Sequence, residues 1–283
     1  MEHLAHALVI DSGVGALSII EEIRARLPHI SLSYASDNAF FPYGEKQEDE
    51  LVDRVHKLAT TLVDITHPDI IVIACNTAST VALPRVRSHF KTPIVGVVPA
   101  IKPAALESQT KIIGLVGTPG TVNRLYTDQL ISQYASDCTV IKVGSTALVQ
   151  LAEQKLKGEK IAQQDIVEAM SPLLNHPLYQ SVDTIILACT HFPLLREELA
   201  LAIVSGTVKR DIRWLDSGKA IANRVEYLLN ADQKALTGVS HHDGSSLPTL
   251  QSFFTKDTPE VHKLYPELAK RISDTVHIVH IPD

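Results

Sequence analysis

The chain is short of several things, and each shortage removes a class of function. No apolar run in its 283 residues approaches the roughly 18 needed to span a bilayer. Near the start, Ala7-Leu-Val-Ile10 is too short for the apolar part of a secretory leader, and Asp11 interrupts it. Cysteine is scarce: three residues, an odd number, argue against a disulfide framework and fit a reducing cytoplasm. No basic excess exists, since the net charge is −6, so a nucleic acid is not expected as the main partner. Cys-x-x-Cys is absent, as are the lysine of a Walker loop and the full spacing of a dinucleotide fingerprint. There is also no linker rich in glycine or serine. The expectation is a cytoplasmic globular protein without a membrane or nucleic-acid partner.

What is present is an ordinary globular composition, 45% apolar and 20% charged, with ample material for a core. It is organised around two matching stretches, Asp69-Ile-Ile-Val-Ile-Ala-Cys75-Asn-Thr-Ala-Ser79 and Asp183-Thr-Ile-Ile-Leu-Ala-Cys189-Thr-His-Phe-Pro193. Each starts at Asp, runs through a short apolar segment and delivers Ala-Cys to a polar turn. Their offset is constant, because 183 − 69 and 189 − 75 are both 114. Continuous runs of β-branched residues predict buried parallel strands. Strand-plus-turn units also occur at Leu8 to Gly15 and Gly114 to Thr121, with 118 − 11 = 107 between Asp11 and Thr118. The pattern reads as a loose internal repeat of two α/β units.

The fold expected is therefore α/β, with two pseudo-symmetric Rossmann-like or flavodoxin-like domains, mostly parallel sheets and an active site between them. Domain changes fall in crossovers near Val98 and Val208, giving 1–98 with 209–283 as the first domain and 99–208 as the second. Leu51, Val55, Leu58 and Leu62 recur at helical spacing in a charged segment, which predicts a surface helix from Lys46 to about Thr66. Leu250 to Phe254 is expected as an edge strand, Pro259 to Ile272 as a helix and His277 to Ile281 as a last strand.

Groups just past the carboxyl end of a strand in an open α/β sheet face the ligand crevice. Two cysteines at equivalent places in two units can then meet one ligand from opposite sides. Racemisation at an α-carbon needs a base on one face and an acid on the other, and two thiols fill those roles symmetrically. A helix start beside a thiol lowers its pKa from the usual value of about 8.5 and suits a carboxylate. The plainer reading of Cys75 and Cys189 is that free cysteine is a small buried hydrophobe. That reading suits a cysteine inside a strand better than two at strand ends followed by hydroxyl or amide groups.

Other motifs keep two readings. Asp11 and Ser12 cap a helix or bind an ammonium and a carboxylate, with Gly13 and Gly15 allowing a tight turn. The loop from Asp37 to Gly44, with three aromatics, is a solvent-side connection or a lid. Cys75, Cys189 and His191 are poorly spaced as metal ligands. Gly117-Thr-Pro-Gly-Thr121 is at most a weak phosphate turn. Glu153, in a helical stretch, is expected as a surface acid or ion-pair partner. His241 and His242 read as a solvated loop, and Cys138 as structural.

Taken together, Asp11 to Gly15, Pro42-Tyr-Gly44, Ala74 to Ala78, Gly96 to Pro99, Gly117 to Thr121 and Ala188 to Phe192 resemble the cofactor-independent Asp/Glu racemase family in order and spacing. The resemblance covers about residues 7 to 230. It implies glutamate held between two α/β domains, Cys75 and Cys189 as the proton donor and acceptor, and assistance from Asp11, His191 and Glu153. Its substrate-binding positions fall on Asp11, Ser12, Pro42, Tyr43, Gly44, Asn76, Thr77, Thr190 and His191, with Thr118 and Thr121 as further contacts. It also implies a reaction without pyridoxal phosphate or metal, a homodimer, and supply of D-glutamate for peptidoglycan. Aspartate as the substrate, or a cleft that binds without chemistry, are the competing readings.

Overall fold

The computed structural model describes residues 4–204, 211–236, 248–272 and 275–282. The chain divides into two compact units, one built from residues up to Val97 and from Gly218 onward, the other from Val98–Ser217. The first unit begins β1 (His6–Asp11), α1 (Ala16–Arg26), β2 (Ser31–Ser36), α2 (Glu48–Thr66), β3 (Ile70–Ile73), α3 (Asn76–Val81), α4 (Leu83–His89) and β4 (Ile94–Gly96). The second unit contains α5 (Ile101–Glu107), β5 (Ile112–Gly117), α6 (Pro119–Val122), α7 (Leu125–Tyr134), β6 (Thr139–Gly144) and α8 (Ala147–Leu156). It continues with α9 (Gln163–Leu174), β7 (Thr184–Ala188), α10 (Arg196–Val204) and β8 (Arg213–Leu215). The chain then returns to the first unit as α11 (Gly218–Leu236), β9 (Leu250–Phe254), α12 (Pro259–Arg271) and β10 (Val276–Ile278).

Among the described residues every strand pairing is parallel, in a six-stranded sheet ordered β10-β9-β2-β1-β3-β4 and a four-stranded sheet ordered β6-β5-β7-β8. The repeat seen in the sequence is thus a repeat of topology. Counting strands from the start of each unit, both run second, first, third, fourth across the sheet. The expected domain boundary at residue 208 lies outside the described residues; β8, beyond it, still pairs with β7.

The strands form where the β-branched runs predict them, and β1, β3 and β7 are almost wholly buried. In α2 the four predicted apolar positions all face inward, each contributing about 2 kcal/mol of transfer free energy. Glu48, Asp49 and Glu50 sit in its first turn, where the helix dipole favours negative charge. One expectation changes. Strand β9 is interior, because β10 pairs along its outer side and takes the edge position. The chain turns through Gly13 and Gly15 between β1 and α1, with Gly15 right-handed at φ −56°. No helix among those residues is long and apolar enough to cross a membrane.

Candidate active site

In each sheet the chain leaves the first strand in one direction and reaches the third strand on its other side. The two neighbours therefore form a switch point, where a crevice opens past their carboxyl ends. β1 lies beside β3 in the first unit and β5 beside β7 in the second. Each pair carries a cysteine just beyond its third strand, Cys75 two residues after β3 and Cys189 directly after β7.

Two aspartates set that register. Asp69, ahead of β3, accepts the His6 N–H at 2.8 Å, tying the start of β3 to the start of β1. Asp183, ahead of β7, accepts the Gln109 and Thr110 N–H groups at 2.7 and 2.9 Å and the Ser108 hydroxyl at 2.7 Å. Burial disfavours the Asp183 carboxylate, but the hydrogen bonds from Thr110, Ser108, Thr184 and Gln109 outweigh it and hold the pKa below the usual carboxylate range. These are the aspartates that open the two matching stretches. The sequence displayed them without a role.

In the first unit, Ile10 pairs with Ile73 and the Ala74 N–H donates to the Ile10 carbonyl at 2.7 Å, which places Asp11, the last residue of β1, near Cys75 just past the end of adjacent β3. Cys75 is the extended residue before α3 and is 7% exposed. Asp11, Ser12, Tyr43, Asn76 and Thr77 are all buried, Pro42 and Gly44 half-buried. Gly15 precedes α1 at the cap position without a side-chain cap bond, while Asp11 Oδ1 accepts the Ser12 N–H at 2.7 Å. The Asn76 amide Nδ2 is buried and has no hydrogen-bond partner among the described residues, so a donor is held ready at this end of the sheet. Ser79, by contrast, is structural: its hydroxyl donates to the Ile73 carbonyl and accepts the Val97 N–H, both at 3.0 Å. In the Asp37-to-Gly44 loop, Asp37 and Tyr43 are buried, while Ala39 between them is exposed. Burial and then the Asp37 carboxylate push the Tyr43 phenol well above its ordinary pKa, with smaller contributions from Cys75 and Asp11.

In the second unit Gly117 pairs with Ala188, so Thr118 and Cys189 emerge together. A Cβ on Gly117 would meet Val122 Cγ1 at 2.9 Å and the Ala188 carbonyl oxygen at 3.2 Å, so close approach of β5 to β7 requires glycine there. Thr118 and Thr121 are buried with their hydroxyl oxygens 3.0 Å apart, and Thr190 is buried as well. Cys189, also 7% exposed, has its Sγ 3.8 Å from His191 Nδ1. His191 Nε2 lies 3.0 Å from Glu153 Oε1, and Lys157 Nζ stands 4.0 Å from Glu153 Oε2.

Of the two readings of Glu153, the structure shows the ion-pair partner and not the surface acid. Its side chain is turned inward from α8 onto His191 and is 7% exposed. An ionised carboxylate only accepts, so with the imidazole proton on Nε2 toward Glu153, Nδ1 faces the Cys189 thiol as an acceptor. This is the geometry of an activated thiol: nucleophile or base, imidazole, orienting carboxylate. Cys138 lies apart beside Asp137, where burial raises its pKa. His241 and His242 lie outside the described residues.

Sequence reasoning passed over Arg54, Lys157 and Thr255. Each acts through a partner distant in sequence or through an unremarkable i,i+4 spacing, so no local motif marks it.

Comparison with known proteins adds an independent line. The family described as Asp/Glu/hydantoin racemase matches residues 16–225. A glutamate racemase of Shewanella sp. strain ANA-3 is 47% identical over 249 residues, covering 88% of either chain. That of Pasteurella multocida strain Pm70 is 50% identical over 225 residues, 79% of this chain and 80% of the relative. Among solved structures, Escherichia coli glutamate racemase in complex with L-glutamate and the activator UDP-MurNAc-ala superposes with a TM-score of 0.88 at 39% identity, covering 99% of this chain and 100% of that one.

Proposed function

This chain belongs to the Asp/Glu/hydantoin racemase family, and from that membership we propose that it is a glutamate racemase. It interconverts L- and D-glutamate by proton transfer at the α-carbon, and its D-glutamate supplies peptidoglycan synthesis. The observation that carries the chemistry is the pair of buried thiols, each delivered within two residues of the end of the third strand of a repeated sheet topology. One thiolate removes the α-proton while the opposite thiol supplies its own to the other face. The roles exchange in the reverse direction.

Each thiol has its own supporting set. Asp11 is the carboxylate that serves Cys75, and the His191–Glu153 pair takes and returns the proton of Cys189. No arginine stands among these motifs, so the carboxylates of glutamate fall to hydroxyl, amide and backbone donors. Asn76, Thr77, Thr118, Thr121 and Thr190 are the donors we assign, with Ser12 and the Pro42–Gly44 turn. The unpartnered Asn76 Nδ2 supports that assignment, since a buried donor without an acceptor costs about 1–3 kcal/mol until a ligand supplies one. The working form is a cytoplasmic homodimer, which sedimentation at assay concentration tests.

The decisive experiment uses protein freed of metal and pyridoxal phosphate, incubated with L- or D-glutamate in D2O. Loss of optical rotation together with deuterium entry at the α-carbon is the expected result. Exchange with aspartate and none with glutamate would change the substrate, and exchange with neither would reduce the site to a binding cleft.

A further inference from the structure

A buried ion pair lies behind Tyr43, and none of its members carries an assigned role in the reaction. Asp37, the first residue past β2, is fully buried. Arg54 of α2 grips it in bidentate fashion, Nε to Oδ2 at 2.9 Å and Nη2 to Oδ1 at 2.7 Å. The Tyr43 hydroxyl donates to Oδ2 at 2.8 Å, and the Thr255 hydroxyl donates to Oδ1 at 2.8 Å. Thr255 follows directly on β9, so it belongs to the C-terminal segment that the sequence left without a function.

That segment clasps the loop at several further points. The Thr255 and Lys256 N–H groups donate to Asn38 Oδ1 at 2.9 and 3.0 Å. The Asn38 amide donates to the Lys256 carbonyl at 2.7 Å, and the Ala39 N–H donates to the Thr255 hydroxyl at 3.0 Å. Residues 218 positions apart in the chain are therefore joined into one rigid corner. Tyr43 projects from it, packed in the same buried cluster as Cys75. A phenol has one proton to give. Spent on Asp37, that proton leaves only lone pairs on the oxygen for the rest of the site.

We propose that Asp37, clamped by Arg54 and by Thr255, is a positioning residue for the racemase reaction: it fixes the Tyr43 phenol, and with it the Pro42–Gly44 turn, for substrate binding. The inference rests on the reading of this site as the first unit's share of a glutamate racemase. It also gives the C-terminal segment its task, since Thr255 holds the carboxylate in place.

Loss of a buried carboxylate threatens folding, so the probe is Thr255→Val, which deletes one hydroxyl and keeps the shape. Losing the hydroxyl's bond to the Asp37 carboxylate, and the Ala39 N–H bond it accepts, predicts a rise of about fivefold or more in the KM for glutamate. The kcat should stay within about twofold and Thr255→Ser should restore KM. A double-mutant cycle assigns the route: in a Tyr43→Phe background, Thr255→Val should add less than about twofold to KM. An unchanged KM in Thr255→Val, or a full effect persisting in the Tyr43→Phe background, would overturn the proposal. A wild-type protein that fails to racemise glutamate would overturn the functional reading itself, and a normal wild type beside an indifferent Thr255→Val would overturn this inference alone.

Discussion

Glu153→Gln is the substitution that asks most of the proposed chemistry. The amide keeps the shape of the side chain and can still accept the proton of His191 Nε2, so the fold and the imidazole orientation are preserved. What disappears is the negative charge 3.0 Å from that nitrogen, in a pocket where the side chain is almost wholly enclosed. Two unit charges about 4 Å apart interact by about 4 kcal/mol at an effective dielectric of ~20. Lys157, 4.0 Å from the other carboxylate oxygen, weakens the negative field felt at the ring. The proton is also only partly transferred at the barrier. A charge-assisted hydrogen bond contributes about 1.5–3 kcal/mol, so a loss of about 2–3 kcal/mol is expected, or about 30- to 150-fold in kcat. Circular dichroism of glutamate measures it in both directions. Because the two enantiomers have equal free energy, kcat/KM must fall equally for both, which checks the assay internally. The side of the site shows in the primary isotope effect. With the Cys189 arm slowed, the effect should grow for the enantiomer that Cys189 deprotonates and shrink for the other. A loss below about threefold would refute the relay, as would an isotope effect that moves alike for both enantiomers. Glu153→Gln should also add little to His191→Gln, since residues acting as a unit are not additive.

The remaining predictions follow from the same geometry. Cys75→Ala and Cys189→Ala should each abolish racemisation with far-ultraviolet dichroism unchanged, whereas Cys138→Ala should keep wild-type activity. Gly117→Ala should lower the urea midpoint by the equivalent of about 1–3 kcal/mol, because its Cβ meets Val122 and the Ala188 carbonyl of β7. Asp183 has its pKa held below the ordinary carboxylate value of about 3.9, so its contribution to stability is present above that pH and is lost as acid takes the pH through the folded value. Melting temperatures between pH 3 and 7 should therefore fall less steeply on the acid side in Asp183→Asn than in wild type. An identical acid limb in the two proteins would assign acid unfolding elsewhere.

The features legible in the sequence were those written in consecutive residues. Ile70 to Ile73 and Thr184 to Ala188 show their burial through β-branched runs, and the cysteines show their place by ending those runs. The constant offset disclosed a repeat that the two strand orders then displayed as topology. Illegible features depended on partners far along the chain. Glu153 looks like any helical acid until α8 is packed against His191, 38 residues away. Asp37 meets Arg54 after 17 residues and Thr255 after 218, distances that no local pattern spans. β9 seemed an edge because the last strand, expected at His277 to Ile281, carries no local sign that it pairs on the outer side of β9.

The interrupted course of the first unit has a consequence while the protein is being made. β2 ends at Ser36 and its outer neighbour β9 begins at Leu250, 250 − 36 = 214 residues later. At a synthesis rate of about 5–20 residues per second, that edge waits roughly 10 to 40 seconds for its partner. The second unit, continuous in the chain, has every strand of its sheet within that interval. A bare, strongly apolar strand would be a template for another ribosome's product during the delay. β2 reads Ser-Leu-Ser-Tyr-Ala-Ser, with a hydroxyl at every other position through Ser31 and Ser33, in contrast to the unbroken Ile-Ile-Val-Ile of β3. The nascent chain thus keeps its stickiest strands for the interior of the sheet and leaves waiting at the ribosome one that water tolerates.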